Sequence, residues 1–389
     1  MLVGLVGAPN KGKSTIFSAL TSVDVGIADY AFTTIKPNLG VAHVNRECAE
    51  VSLGVKCSPR NSSCTNGVRH IPINIIDVAG LVPGAHLGKG MGNQFLTDLA
   101  GADVLIQVVD ASGRTDVEGR ACAGCDPSEE ALMLRDEMAE WLADIILRHK
   151  ATLSKRADGD AAICELLSGF RIDAKGVRRA AEESYLTLSS ANWDRDAAKK
   201  FSSSLLKANK PIVIAANKAD QADNDAIDAI SEKLNGTRVV KCSAAIELAL
   251  VKAANKGIVD YTPGAVDFGI IKEVSPEQKS ALDYMHEYVA KNNGTGVQDL
   301  LSSAVFGATG NIVVYPVEDE SHYADRSGNV LPDAILMRKG STAYDLAGRI
   351  HSDIAKGMKY AVDARSKMRV QKEYMLQDGD IIKIVSTAR

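Results

Sequence analysis

Long hydrophobic runs are missing from this chain of 389 residues. None approaches the roughly 20 apolar residues that a helical membrane span needs, so no membrane partner is expected. An excess of charge of one sign is missing too: the formal net charge is −4. That balance excludes a uniformly basic nucleic-acid coat, and no DNA-binding role is read from it, although a local basic patch stays open. No internal repeat or low-complexity segment stands out. The chain enters directly on Met1-Leu2-Val3, with no charged leader and no small-residue cleavage site, and a cytosolic protein is expected. In that compartment the seven cysteines are expected as free thiols or metal ligands rather than disulfides. With 46% apolar, 24% charged and few aromatic residues the composition is ordinary for a globular chain, and the length predicts two or three domains.

What is present is a pair of motifs. Gly7-Ala8-Pro9-Asn10-Lys11-Gly12-Lys13-Ser14 follows the apolar run Leu2–Val6, and Asn217-Lys218-Ala219-Asp220 follows the apolar run 211–216. The first is the pattern of a phosphate-binding loop, and the second is shaped to read guanine. A lone GxxxxGKS says only that a nucleoside triphosphate binds. The pair names the base, so GTP is the expected ligand. Further apolar runs at 71–76, 104–109 and 238–242 are continuous rather than alternating, as parallel strands buried on both faces require. Helical periodicity lies between the runs, for example at 14–22 and 92–99. The expected fold is α/β: a doubly wound, mostly parallel P-loop sheet with ligands at the strand carboxyl ends.

Individual roles follow from that frame. Residues Gly7, Ala8, Pro9, Asn10, Lys11, Gly12, Lys13, Ser14 and Thr15 form the expected nucleotide cradle, with backbone N–H groups pointing at phosphate. Lys13 reaches the β- and γ-phosphates, and the Ser14 hydroxyl ligates Mg²⁺. Asp77-Val78-Ala79-Gly80 ends an apolar run; Asp77 is placed to hold the metal through water and Gly80 to donate to the γ-phosphate. Thr34, in the polar loop Ala31-Phe32-Thr33-Thr34, either completes the Mg²⁺ shell as an ordering switch or is a plain loop residue. Asn217 braces the phosphate loop, Lys218 stacks on the purine and Asp220 accepts from guanine N1 and N2. Ser243 and Ala244 are expected to add a backbone N–H to guanine O6. The expected catalytic set is Lys13, Thr34, Gly80 and Asn10.

Between the runs at 104–109 and 211–216 the chain far exceeds one crossover. Glu129 to Arg148 reads as a strong helix with Leu132, Met138, Trp141, Leu142, Ile145 and Ile146 on one face. The segment 129–206 is read as a helical insertion, with a decorative and a partner-binding role equally open. A helix is expected at 276–291, and Gly294-Thr295-Gly296 as a boundary signal. The tail carries strands at 312–317, 334–337 and 380–385 around an amphipathic helix at 343–358, a small ubiquitin-like α+β pattern. The expected domains are a GTP-binding domain at 1–128 and 207–305, the insertion at 129–206, and a β-grasp domain at 306–389.

Together with the phosphate loop, Phe32-Thr33-Thr34-Ile35-Lys36-Pro37-Asn38-Leu39-Gly40 and Asp77-Val78-Ala79-Gly80-Leu81-Val82-Pro83-Gly84-Ala85 resemble the Obg-related GTPases. Gly88-Lys89-Gly90-Met91-Gly92-Asn93-Gln94-Phe95-Leu96 is similar to the YchF-like branch, whose C-terminal TGS domain the segment 330–385 resembles. The resemblance implies a regulatory GTPase associated with ribosomes or translation. YchF relatives are often altered at the base-reading motif and favour ATP; here the motif is an intact guanine reader.

Many GTPases orient the attacking water with a glutamine after the DxxG glycine, whereas this chain has Leu81. Asn10 matches relatives in which K⁺ stands in for an arginine finger; its other reading is a loop hydrogen bond. His86 either approaches the γ-phosphate or faces solvent. Cys48, Cys57 and Cys64 and the Cys122-Ala123-Gly124-Cys125 run either share a zinc site, if their loops meet, or are scattered thiols. Between Arg349 and Lys372, seven cations (Arg349, Lys356, Lys359, Arg365, Lys367, Arg369, Lys372) face two acids, a solvated surface or an RNA contact. Three functions remain: a slow GTP-hydrolysing switch, a nucleotide-gated binding module with negligible hydrolysis, and an ATP-using hydrolase. The oligomeric state is not legible.

Overall fold

The computed structural model describes residues 1–22, 38–78, 99–156, 158–170, 172–188, 193–234 and 236–387. They fall into two compact units, one built from Met1–Ser22, Pro37–Gly40 and Asn74–Ala304, the other from Val41–Ile73 and Val305–Arg389.

The chain begins with strand β1 (Leu2–Val6), then β2 (Leu39–Glu47), β3 (Ser63–Thr65), β4 (Val68–Asp77), β5 (Val104–Asp110), β6 (Ile212–Asn217) and β7 (Val239–Lys241). The sheet order is β2-β4-β1-β5-β6-β7, with β3 pairing β4. The pairs β4–β1, β1–β5, β5–β6 and β6–β7 are parallel. Every residue of β5 is buried, as expected of a central strand with helices on both faces. Parallel neighbours put the strand carboxyl ends on one edge: Asp77 lies beside Leu5, Asp110 beside Asn217, and β5 runs on past Gln107, the partner of Val6.

The long crossover from β5 to β6 is helical, but it is not separate from the sheet. Its first helix is Pro127–Arg148, capped by Asp126, whose side chain accepts from the Ser128 N–H. Leu134, Met138, Trp141, Leu142 and Ile146 of that helix share one core with Val6 and Leu105 of the sheet. Leu132, expected on the buried face, is 47% exposed. The buried stripe runs instead through Glu130 and Leu134, one turn apart, and Leu132, two residues from Leu134, points roughly to the opposite face. Helices Gly159–Leu166, Ala174–Ser184 and Arg195–Asn209 complete the segment, with Trp141 on Phe170 at 5.1 Å and Trp193 on Phe201 at 4.9 Å.

Helix Pro276–Asn292 opens with a Ser275/Gln278 capping box. The Gly-Thr-Gly signal after it is not a linker: Thr295 accepts from the Ser243 N–H and donates to buried Glu247. The nucleotide unit therefore continues past it to Ala304.

Two short strands, β8 (Val259–Asp260) and β9 (Gly269–Ile270), pair with each other. The second unit contains β10 (Asn311–Val317), β11 (Ile335–Arg338), β12 (Met358–Asp363), β13 (Met368–Val370) and β14 (Ile381–Ser386), in the order β11-β10-β14-β12-β13. The pair β10–β14 is parallel and its neighbours antiparallel, with helix Ala343–Ile350 on one face, a β-grasp arrangement. The expected single helix at 343–358 is divided. His351 is extended (φ −163°, ψ 141°) and caps a second short helix, Ser352–Lys356, after which Met358 opens β12. The β12–β13 hairpin carries Arg365, Lys367 and Arg369 on its exposed surface.

Candidate nucleotide site

Val3, Leu5 and Val6 are wholly buried, and the chain leaves β1 at Gly7 with φ +141°. A Cβ there would lie 2.4 Å from the Val108 carbonyl oxygen of β5, so only glycine fits between loop and sheet. Gly12 (φ +93°) is constrained likewise: its Cβ would lie 2.2 Å from Asn217 Nδ2. Helix Lys13–Thr21 starts on Gly12 with neither a capping side chain nor an acid in its first turn. Its first N–H groups and the positive end of its dipole are left for an anion.

The loop is held from beneath. The Lys11 side chain is buried, pairs with buried Glu130 at 2.9 Å and donates to Thr115 and to the Asp116 carbonyl. Glu130 also accepts from the Ala8 N–H at 2.9 Å. Burial pushes the Glu130 carboxyl above its usual range, although the Lys11 ammonium and the Ala8 N–H pull the other way. Asn10 Nδ2 donates to the Gly119 carbonyl at 3.0 Å. Asn217 Nδ2 donates to the Lys11 carbonyl at 2.8 Å, and its Oδ1 accepts from the Ala244 N–H at 3.0 Å. Lys13 Nζ lies over the loop on the Ala8 carbonyl at 3.0 Å, and burial lowers its pKa.

A divalent cation fits beside Ser14. The Ser14 hydroxyl donates to Asp77 Oδ2 at 2.8 Å, and Asp77 Oδ1 is buried without a hydrogen-bond partner among the described residues. A hydroxyl and a carboxylate with a free lone pair are the hard oxygen donors that Mg²⁺ takes. At the base end Asp220 has the same character. Among the described residues its Oδ1 is buried with no hydrogen-bond partner, while Oδ2 accepts from Gln221 at 3.3 Å. Lys218 (φ +59°) is tied to buried Asp110 at 2.8 Å. Burial alone would raise the Asp110 carboxyl; hydrogen bonds from Lys218, Ser112 and Thr115 outweigh it and hold the group below the usual range.

Three family models match the chain: "50S ribosome-binding GTPase" over residues 2–147, "Obg-like GTPase YGR210-like, G4 motif-containing domain" over 215–319, and "TGS domain" over 327–386. An uncharacterized GTP-binding protein of Methanocaldococcus jannaschii is 45% identical over 100% of both chains. The crystal structure of a GTP-binding protein from Pyrococcus horikoshii is similar with a TM-score of 0.80 at 36% identity, covering 100% of both chains. The chain belongs to the Obg-like, YchF-type family of P-loop GTPases.

More distant YchF-type members carry another name: the "Ribosome-binding ATPase YchF" of Bacillus subtilis is 27% identical over 98% of both chains. Of the residues expected at a YchF-type site, Thr34, Gly80, Leu81 and His86 lie outside the described residues. The phosphate loop, Ser14, Asp77, Asn217 and Asp220 are brought together at the carboxyl edge of the sheet. The Lys11 side chain supports the loop from below, which leaves its expected backbone role in the cradle untouched. One expectation changes: Ser243 and Ala244 have their N–H groups on Thr295 O and Asn217 Oδ1, so neither is a free donor to a base carbonyl here.

Glu130 and Asp110 were not legible as site residues. Glu129 and Glu130 read alike as acids in the first turn of a helix, yet Glu129 is exposed and Glu130 buried. Cys122 and Cys125 are joined to each other, against the expectation of free thiols, and neither remains as a metal ligand.

Removing one member of the buried Lys11–Glu130 pair leaves an uncompensated charge. Glu130→Ala is expected to lower unfolding stability in urea by about 3–5 kcal/mol. The double change Lys11→Met with Glu130→Leu should recover most of that loss. A single-variant loss no greater than an exposed acid gives would show that the pair does not hold the loop.

Proposed function

We propose that this YchF-type protein is a GTP-preferring, Mg²⁺-dependent switch that hydrolyses GTP to GDP slowly and engages the ribosome. The buried, unpartnered Asp220 Oδ1 carries the base preference. Guanine offers N1–H and the 2-amino group to it; adenine offers an N1 lone pair and nothing at C2. Lys13 is the β- and γ-phosphate contact in this reading, with Ser14, Asp77 and Thr34 around the metal and Gly80 on the γ-phosphate. Bound Mg²⁺ would neutralise charge on the phosphate oxygens. Relatives named ATPases make nucleotide choice the first test. Asp220→Asn should shrink the GTP-over-ATP preference by about 2–3 kcal/mol, roughly 30- to 150-fold in competition binding. A parent protein that binds ATP as tightly as GTP would end this reading.

Leu81 favours a second reading, a nucleotide-gated binding module with negligible turnover, because leucine cannot polarise water. Asn10 decides how far hydrolysis is rescued. Its amide is anchored on the Gly119 carbonyl. Exchange of Na⁺ for K⁺ is expected to raise single-turnover hydrolysis severalfold. Equal rates in the two salts would leave Asn10 as a loop anchor only.

The ribosome contact is assigned to the exposed cations of the β12–β13 hairpin and its flanks. The word "ribosome" in the names of the family model and of relatives supports this reading. Co-sedimentation with ribosomes should be tighter with a non-hydrolysable GTP analogue than with GDP and should weaken steeply with salt. Lys367→Ala, Arg369→Ala and Lys372→Ala combined should reduce it without changing GTP affinity. Unaltered co-sedimentation would move the contact to the helices between Pro127 and Asn209.

A further inference from the structure

Cys48, Cys57 and Cys64 are separated in sequence but meet in the second unit, each delivered by a different local device. Cys48 leaves β2 in extended conformation (φ −80°, ψ 142°) and precedes the short helix Ala49–Leu53. Cys57 lies on the irregular segment beyond that helix. Cys64 is the middle residue of β3, paired with Arg69 across a two-residue turn at Asn66-Gly67, where both φ values are positive (51° and 79°). Glu50, in the helix's first turn, turns its carboxylate into the same spot. One ligand atom from each of the four lies within 4.8 Å of all the others.

The spacing is that of ligands around an ion. Cys48 and Cys57 sulfurs are 4.0 Å apart, and a tetrahedral zinc with bonds of about 2.3 Å sets its sulfurs about 3.8 Å from one another. A disulfide would need about 2.05 Å. Glu50 Oε1 is 3.2 Å from Cys64 Sγ, and its Oε2 is oriented by the Cys57 N–H at 2.8 Å. Cys48 and Cys57 are buried, so solvent does not compete for them.

Charge completes the case. Arg69 is fully buried, donates to the Leu331 carbonyl, lies over the Tyr315 ring and comes within 3.9 Å of Cys57 Sγ. A buried guanidinium gains little from neutral thiols. Three thiolates and a carboxylate around a divalent ion leave a net charge of −2, half of which that guanidinium offsets. Thiolate ligands select a soft ion and exclude Mg²⁺ or Ca²⁺.

We infer that Cys48, Cys57, Cys64 and Glu50 form a closed, tetrahedral zinc site of structural type. All four positions are taken by protein, so no coordination position is open for a substrate. The ion would fasten the irregular stretch 54–62, between that short helix and β3, to the elements on either side of it, and this stretch hydrogen-bonds the β-grasp part of its own unit. Ser58 N and Arg60 N donate to the Val330 and Pro332 carbonyls, and Asn61 Oδ1 accepts from the Ala334 N–H.

The test uses full-length protein purified reduced, supplied with zinc and dialysed. About one zinc per chain is expected by elemental analysis. Cobalt(II) in its place should give the intense visible bands of a tetrahedral ion with thiolate charge transfer in the near ultraviolet. Cys57→Ser and Cys64→Ser should each lower zinc content about tenfold or more, while Cys164→Ser, outside the cluster, should leave it unchanged. Because the serine variants can fail to fold, Glu50→Cys supplies a gain: it should keep the ion and raise the charge-transfer intensity by about a third as three thiolates become four. Parent protein holding less than about a tenth of an equivalent of zinc, or cobalt bound with only a weak octahedral spectrum, overturns the site.

Discussion

A buried ammonium holds the nucleotide edge together. Lys11 Nζ is removed from water yet has four oxygen acceptors within 3.1 Å, from Glu130, Thr115 and Asp116. Taking a lone ammonium out of water costs several kcal/mol, and only a set this complete can offset it. The same residue's carbonyl accepts from Asn217, and Asn217 accepts in turn from the Ala244 N–H. One residue thus links the loop that would meet phosphate, the strand end that would meet the base and the start of helix Ala244–Asn255. None of these elements can shift without exposing a buried polar group.

The same logic explains why some polar atoms here are left without partners. Asp110, Glu130 and Asn217 are buried and have their oxygens engaged; Asp77 Oδ1 and Asp220 Oδ1 are buried and do not. Buried acceptors are almost always paired, and these two carboxylate oxygens have no hydrogen-bond partner among the described residues, which leaves them able to take a ligand's donors or a cation. Lys13 is intermediate, resting on the Ala8 carbonyl that a phosphate would replace.

Much of this edge could be read from sequence because its constraints are local. Gly7 and Gly12 are required by backbone approach, and the apolar runs before them and before Asn217 place both motifs at strand ends. The supports were not legible, because Glu130 lies 122 residues from Ala8 and 119 from Lys11, and nothing in a first-turn Glu129-Glu130 pair says which faces inward. Leu132 is apolar like its neighbours, but at about 100° per residue it stands well away from the Leu134–Met138 stripe, and its hydrophobicity alone does not say so. In the tail, His351 splits what periodicity reads as one helix, and the cation-rich β12–β13 hairpin lacks apolar alternation because β13 is a sheet edge. Asn66-Gly67 is a hairpin signal, but Ser63-Cys64-Thr65 before it shows no apolar pattern.

The second unit is assembled from segments more than 200 residues apart, and its hydrogen bonds show that neither part is complete alone. Ser58 and Val330 exchange two bonds, Arg60 joins Asp325 at 3.0 Å, and Arg69 reaches the Leu331 carbonyl. Leu331 is fully buried at a positive φ of 45°, a backbone state that persists in leucine only where surrounding contacts over-determine it. Closing such a loop costs more entropy than a local pairing, and the contacts reward it only after both segments exist. A tail cut at Val305 would begin with the Tyr315 face and the Leu331 carbonyl stripped of Arg69, which is why the insert belongs to that fold even though the chain delivers it from the middle of the nucleotide domain.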